Sequence, residues 1–158
     1  MKPMLLSPIG TIHDNTGDIY LEVRPEFAPA LSHLQSGTYI NVLWWFSRCD
    51  TLASRSKRVE QKPYKGAPDV LGTFATRSPE RPNPIALSCC FITYVDLHKG
   101  LVGLAYIDAD DGTPLLDIKP YTPSLDRVES PQVPAWCAHW PKSVEASGKF
   151  DWGTVFSA

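Results

Sequence analysis

The hydrophobic positions of this chain fall into short runs that polar turn residues interrupt, and most of these runs are rich in β-branched and aromatic residues. Runs of this kind are typical of strands. We predict six strands, over residues 4–13, 19–23, 39–46, 85–97, 101–107 and 115–118. Polar turns at 15–17 and 98–100 join neighbouring strands. Many short strands with such turns favour an all-β barrel.

Two segments depart from the strand pattern. Phe27, Leu31 and Leu34 recur at helical spacing after Pro25, which is tolerated in a first turn, so a short helix is predicted over 25–34. Residues 48–71 are polar and show little periodicity, which predicts a long loop. From residue 120 the chain is rich in proline and tryptophan. We expect a single domain over 1–158, with its core at about 5–123 and a C-terminal segment over 120–158 that wraps it with little regular structure.

Composition excludes several classes of protein. The 158 residues are 43% hydrophobic, carry a formal net charge of -2 and contain no run long enough to cross a bilayer. The first residues lack the apolar region of a signal peptide, so a cytoplasmic protein that does not contact a membrane is expected. The four cysteines, at 49, 89, 90 and 137, have neither CxxC nor zinc-ligand spacing. We interpret them as reduced structural residues and predict no metal site among them.

The most unusual stretch is 72–88, which reads GTFATRSPERPNPIALS. Each proline removes a backbone donor and pushes the residue before it out of the helical region. Residues 78–84 are therefore predicted to form a stiff extended loop that holds Arg77, Arg81 and Asn83 at little entropic cost. Planar guanidinium groups on a rigid loop suit an anionic or planar polar ligand. A proline-rich surface connector with solvated arginines is the alternative.

A second informative stretch is 108–121, which reads DADDGTPLLDIKPY. It joins an acidic turn, with a strong turn signal at Asp111 and Gly112, to a short strand. Asp108, Asp110 and Asp111 suggest a metal site, but no glutamate follows at the spacing of an EF-hand, so we predict no metal. An acidic turn that caps its own backbone is the other reading of these aspartates.

Together these two stretches resemble one family, the TsaA-like (YaeB/TrmO-type) tRNA methyltransferases. The opening PIGTI at 8–12 and the apolar strand at 39–46 fit the same pattern, so the resemblance covers roughly residues 5–123. It implies a compact β-barrel rather than a Rossmann fold, and a homodimer with S-adenosylmethionine bound near its interface. It also implies methylation of N6 of threonylcarbamoyladenosine beside the tRNA anticodon.

Methyl transfer from a sulfonium needs donor and acceptor held in line. Trp45, Phe46, Asp110 and Asp111 are candidates to hold the cation, and Arg77 is the candidate for the methionyl carboxylate. By resemblance, the cofactor contacts fall on Ser47, Arg48, Arg77, Leu87, Asp110, Asp111, Gly112 and Thr113.

The acceptor nitrogen is a weak nucleophile because it carries a carbonyl substituent, so a carboxylate that takes its proton would help. Asp108 and Asp111 are the candidate catalytic bases, and the sequence does not choose between them. The carboxylate of the substrate needs a cation, which Arg81 or Lys119 can supply, and Asn83 is a third candidate substrate contact. The base should leave the anticodon loop and rest on an aromatic face.

The stretch 48–65 is predicted to contact tRNA phosphates, because it holds six basic residues against two acidic ones. Three departures from the family pattern oppose this reading. Ser47 stands where the family often has histidine, the first loop (14–18) lacks the expected Pro-Arg-Gln segment, and Ala86 replaces a usual glycine. Two alternatives therefore stay open: a methyltransferase of a small molecule, and a non-catalytic S-adenosylmethionine- or ligand-binding protein.

Overall fold

The computed structural model describes residues 2–15 and 17–157. Thr16, in the middle of the predicted first turn, lies outside the described residues. The strands are β1 (Gly10–Asn15), β2 (Asp18–Val23), β3 (Tyr39–Trp45), β4 (Val59–Gln61), β5 (Val70–Gly72), β6 (Ile85–Asp96), β7 (Leu101–Leu104) and β8 (Thr113–Pro120). Six of them close an antiparallel barrel in the order β1-β2-β7-β6-β3-β8. The all-β barrel prediction is confirmed.

Strand β3 lies at the centre of the functional half of the barrel, between β6 and β8. Its side chains alternate: Ile40, Val42 and Trp44 are buried in the barrel, whereas Asn41 and Trp45 point outward. This period of two is the pattern of a strand with one buried face. Position 86, where the family often has glycine, pairs with Trp44, and its methyl group lies in the barrel core.

Two predicted elements differ clearly from the structure in their bounds or geometry. The first strand begins at Gly10 rather than residue 4, because pairing with β2 and β8 starts there. Met4, Leu5 and Leu6 stay exposed to solvent, and Leu5 is 93% exposed. The predicted helix over 25–34 is a 3-10 helix, Pro25–Leu31. Pro29 lies inside it and has no N–H to donate to an α-helical hydrogen bond.

The prediction of an unstructured loop over 48–71 was wrong. A short helix, α1 (Leu52–Ser56), begins there, and the side chain of Thr51 accepts a hydrogen bond from the Ser54 backbone N–H at 3.1 Å. The hairpin of β4 and β5 follows and lies outside the barrel. Both elements are too short to produce a periodic signal, and packing against the rest of the chain decides them.

Residues 128–157 form the larger part of the predicted C-terminal segment, and the name refers to these residues from here on. They pack on the loop before β5 through aromatic side chains. The segment follows helix α2 (Pro123–Asp126) and contains α3 (Val144–Ser147). The ring of Tyr64 stacks on Trp136 with centroids 5.4 Å apart, and the backbone N–H of Lys65 donates to Val155 at 2.8 Å. The full cluster comprises Tyr64, Trp136, Trp140, Phe150, Trp152 and Phe156. Across the described residues, no helix is both long and apolar enough to span a bilayer.

Candidate functional site

The proline-rich loop at 78–84 is held by Arg81. Its guanidinium donates to the backbone carbonyls of Ser78 at 2.6 Å and Thr76 at 2.7 Å. These bonds use Nε and Nη2 of the guanidinium, so Arg81 shapes the loop, and its contact with a substrate carboxylate stays a prediction. Its neighbour Asn83 accepts from Arg55 at 3.5 Å.

A cavity of about 420 Å³ opens where β3 ends beside the turn between β7 and β8. We call it the aromatic cavity. Trp45, Phe46 and Tyr106 contribute rings to its wall, and Tyr106 is 67% exposed. The remaining lining residues are Asp14, Trp44, Ser47, Arg48, Cys49, Pro79, Ile107, Asp108, Ala109, Asp110 and Thr113. Three carboxylates face one guanidinium here, so the cavity suits a cationic ligand with a planar group.

The three aspartates of the acidic turn have different surroundings. Asp110 accepts from the Nε of Arg48 at 2.9 Å. Asp111 does not line the cavity: its Oδ1 accepts from the Asp14 backbone N–H at 3.1 Å and lies 3.5 Å from Nδ1 of His13. Asp108 lines the cavity, and its carboxylate has no hydrogen-bond or ion-pair partner among residues 2–15 and 17–157. Of the two candidate bases, only Asp108 is therefore placed to take a proton from a bound ligand.

Trp45 is held rigidly at the mouth of the cavity. Its indole N–H donates to Asp50 at 3.1 Å, and the guanidinium of Arg55 lies 5.9 Å from the ring centroid. Hydrogen bonds from Arg55 and from Trp45 keep the pKa of Asp50 below its ordinary value. The ring is thus fixed in advance, which lowers the entropic cost of placing a ligand against it.

Sequence reasoning missed Tyr106 and Cys49 as parts of this site. Burial, and then the nearby carboxylates of Asp108 and Asp14, raise the pKa of Tyr106, so its hydroxyl stays protonated. Burial, and then the carboxylate of Glu80, raise the pKa of Cys49, which makes its thiol a poor nucleophile. The sequence analysis placed Tyr106 inside a predicted strand over 101–107. In the structure β7 ends at Leu104, so Tyr106 lies beyond the strand and lines the cavity.

Three of the six basic residues in the stretch at 48–65 form ion pairs with carboxylates. Arg48 pairs with Asp110, and Arg55 pairs with Asp50 at 3.0 Å. Lys57 lies between Glu60, at 2.9 Å, and Glu80. Only Arg48 of the six basic residues lines the aromatic cavity. These ion pairs link the proline-rich loop to α1 and β4, and they leave fewer of the basic groups available to a polyanion.

Arg77 and Leu87 lie in a second cavity, of about 510 Å³, on the outer face of β3 and β6. We call it the basic cavity. Arg77 donates through Nη1 to the backbone carbonyl of Leu87 at 3.2 Å. The other lining residues are Tyr39, Asn41, Cys89, Tyr121, Asp126, Arg127, Lys142, Ser143, Val144 and Glu145. The two cavities share no lining residue, so one chain does not bring all the predicted cofactor residues together.

The remaining predicted residues lie beside these cavities. Gly112 adopts a positive φ of 80° in the acidic turn, where its backbone N–H donates to Ile12 at 2.9 Å. Lys119 is outside both cavities and pairs with Asp117 at 2.9 Å. In the described part of the chain, no group of three or more His, Cys, Asp or Glu side chains is arranged to hold a metal ion.

The closed six-stranded barrel and its aromatic, acidic cavity define a ligand-binding β-barrel that is unrelated to the parallel sheet of Rossmann proteins. The model of the family described as tRNA-methyltransferase O N-terminal domain matches residues 7–127. The chain belongs to this family, and the predicted family resemblance is confirmed.

Individual relatives agree with this assignment. The chain is 37% identical over 139 residues to an S-adenosyl-L-methionine-binding protein of Archaeoglobus fulgidus, a match that covers 79% of this chain and 94% of the relative. It is 33% identical over 121 residues to the tRNA (adenine(37)-N6)-methyltransferase of Escherichia coli, covering 75% and 51%. A crystal structure of TrmO matches with a TM-score of 0.67 at 29% identity, over 84% of this chain and 64% of that one. The chain thus spans about half of the bacterial methyltransferase.

Proposed function

We propose that this protein is an S-adenosylmethionine-dependent methyltransferase that acts on N6 of an adenosine in the tRNA anticodon loop. The aromatic cavity is the observation that carries the proposal, because its rings and carboxylates suit a cationic, planar ligand. The names of the Archaeoglobus and Escherichia relatives support both the cofactor and the acceptor. The finer substrate that we propose is N6-threonylcarbamoyladenosine, and the cytoplasm is then its site of action.

The residues that line the aromatic cavity have different proposed roles in methyl transfer. S-adenosylmethionine would supply a methyl group on a positively charged sulfur. Trp45 and Asp110 would hold the cation, and Ser47 and Thr113 add hydroxyl groups to the same wall. Tyr106 offers an exposed ring on which an unstacked base can rest. Asp108 would take the N6 proton and raise the nucleophilicity of that nitrogen.

The protein is proposed to act as a homodimer in which the partner completes this site. Arg77 and Leu87 lie in the basic cavity, away from the other proposed cofactor contacts. A twofold dimer, the commonest assembly, can place these two residues of one protomer over the aromatic cavity of the other. Phe74, close to Arg77 in the chain, is 81% exposed, and burial between protomers would explain such a large apolar side chain at the surface.

A second candidate is an S-adenosylmethionine-binding protein that transfers no methyl group. It is favoured by the Archaeoglobus relative, which is named for binding alone and which the chain covers almost completely. Ser47, which replaces a family histidine in the cavity wall, also fits this reading.

Calorimetric titration with S-adenosylmethionine and S-adenosylhomocysteine tests both candidates. We expect saturable binding of both ligands, because the preformed cavity of about 420 Å³ is in the size range of nucleotide sites. Transfer of a labelled methyl group to tRNA that carries threonylcarbamoyladenosine then separates the candidates. Binding without transfer would leave the second candidate, and no binding by the folded protein would contradict both.

Mixing two inactive variants tests the proposed dimer. Arg77→Ala and Asp108→Asn should each abolish most activity alone. If Arg77 acts on the partner's site, half of the dimers in an equimolar mixture carry one intact site, and about a quarter of wild-type activity should return after subunit exchange. If Arg77 acts within its own chain, no site in the mixture is intact and no activity returns. Sedimentation of each variant checks that dimers persist.

A further inference from the structure

The basic cavity has a charge distribution that the proposed cofactor contacts do not explain. Three cationic side chains, Arg77, Arg127 and Lys142, converge on it from three separate segments of the chain. None of them forms an ion pair within residues 2–15 and 17–157. Arg77 and Lys142 donate only to backbone carbonyls, of Leu87 and Ala138. Among the described residues, no carboxylate is therefore in ion-pair contact with these three cations.

The two carboxylates of the same cavity are already satisfied by other groups. Asp126 accepts from the side chain of Asn41 at 3.0 Å and from the Thr122 backbone N–H at 2.6 Å. Hydrogen bonds from its own backbone and from Ser143 lower the pKa of Glu145. Neither carboxylate forms an ion pair with the three cations in the described part of the chain. Three cations against two carboxylates leave the cavity a net positive charge, which favours an outside anion.

The wall that carries Lys142 is built by the C-terminal segment, which lies beyond the residues that the family model matches. The aromatic cluster around Tyr64 anchors this segment. Burial raises the pKa of Tyr64, whose ring packs against Trp136 and Trp140 of that segment. Packing of these rings therefore fixes the segment that presents Lys142 against the rest of the chain.

We propose that the basic cavity binds a phosphate of the RNA backbone, held by Arg127 and Lys142 beside Arg77. This inference rests on the proposed tRNA substrate and deepens it. The stretch at 48–65, which the sequence favoured as the RNA contact, has half of its basic residues in ion pairs with carboxylates. The three cations of the basic cavity form no ion pair in the described part of the chain, so a phosphate that binds there displaces no paired carboxylate. A carboxylate of a small ligand, such as the methionyl group of the cofactor, is the other source of the same anion chemistry.

The test uses the double variant Arg127→Gln with Lys142→Gln in the full chain. Its matched control is Lys99→Gln with Lys149→Gln, which removes the same charge at exposed positions outside the aromatic cavity and the basic cavity. The affinity for an RNA hairpin of anticodon stem-loop length is measured over a series of salt concentrations, and S-adenosylhomocysteine is titrated in parallel. We expect the slope of log Kd against log salt concentration to fall by about 1 for each charge removed from the cavity, with a smaller change in the control. The affinity for S-adenosylhomocysteine should stay within about twofold of the wild type.

Three outcomes overturn the proposal. An unchanged salt slope with weaker S-adenosylhomocysteine binding would assign the cavity to the cofactor carboxylate. Equal slopes for the double variant and the control would show that the cavity contributes only general charge. Failure of the wild type to bind the hairpin would exclude an RNA phosphate altogether. Failure of the proposed function is distinguishable, because it appears as lost cofactor binding or methyl transfer while the salt slope still responds to the variant.

Discussion

Asp108→Asn is expected to lower kcat for methyl transfer to tRNA by about 100- to 10,000-fold, the usual contribution of a positioned general base. Asp108 lines the aromatic cavity and has no partner among the described residues, so its carboxylate is available to the N6 proton. Asparagine keeps the shape of the side chain and removes the basicity. The affinity for S-adenosylhomocysteine should change little, which calorimetric titration measures.

The matched control for this variant is Asp69→Asn. Asp69 is exposed near the start of β5 and lies outside the aromatic cavity and the basic cavity, so the same chemical change there should leave kcat unaltered. A loss of less than about tenfold in Asp108→Asn would mean that positioning of the two reactants supplies the rate enhancement without a base. An increase in the Kd for the cofactor with unchanged kcat would instead make Asp108 a cofactor contact.

Gly10→Ala is expected to lower the free energy of unfolding by at least about 3 kcal/mol, the upper end of the usual range for overpacking. Gly10 pairs with Val23 on β2 and with Leu115 on β8, so strands flank it on both sides. A Cβ at this position would lie 2.1 Å from the backbone oxygen of Glu22 and 3.0 Å from the Cα of Val23. Backbone atoms cannot rotate away as a side chain can, so β1 and β2 must move apart to make room for the methyl group.

Denaturant unfolding measures this loss as a lower midpoint, and the slope m should stay constant if the native state keeps its compactness. Gly72→Ala is the control, because no atom lies within 4 Å of a Cβ built there and the φ angle of -63° is ordinary. This control should be neutral or should gain up to about 1 kcal/mol from a less flexible unfolded chain. A cost below about 1 kcal/mol for Gly10→Ala would show that β1 and β2 separate easily at this position.

The strands of the barrel were predictable because their signal is local. Tyr39–Trp45 and Ile85–Asp96 are long apolar runs, and the alternation of buried and outward residues along β3 follows from the pleat alone. The hairpin of β4 and β5 was missed for the opposite reason. Each of its strands has three residues, too few for any period to appear, and contacts with distant parts of the chain stabilise them.

The candidate site was predicted in its residue types but only partly in its arrangement. The aromatic end of β3 and the acidic turn do meet in one cavity, because β3 and β8 are neighbours in the barrel. The basic stretch at 48–65 was expected to face a polyanion, yet Lys57 is held between two glutamates, one of them more than twenty residues away. A sequence shows the charges on a segment, but the partners that neutralise them come from other segments.

By itself, the sequence determined the all-β barrel and the family, because strand periodicity and contiguous motifs are local properties of the chain. Only the tertiary structure decided which carboxylate is available. Asp111 accepts a hydrogen bond from the backbone N–H of Asp14, a residue far away in the sequence. Asp108 lines the aromatic cavity and has no partner among the described residues. The tertiary structure also decided that Arg81 braces the proline-rich loop and that Arg77 and Leu87 lie apart from the aromatic cavity. The physical reason is the same in each case: hydrogen bonds and ion pairs act over about 3–4 Å, and only the closed barrel sets which distant residues come within that range.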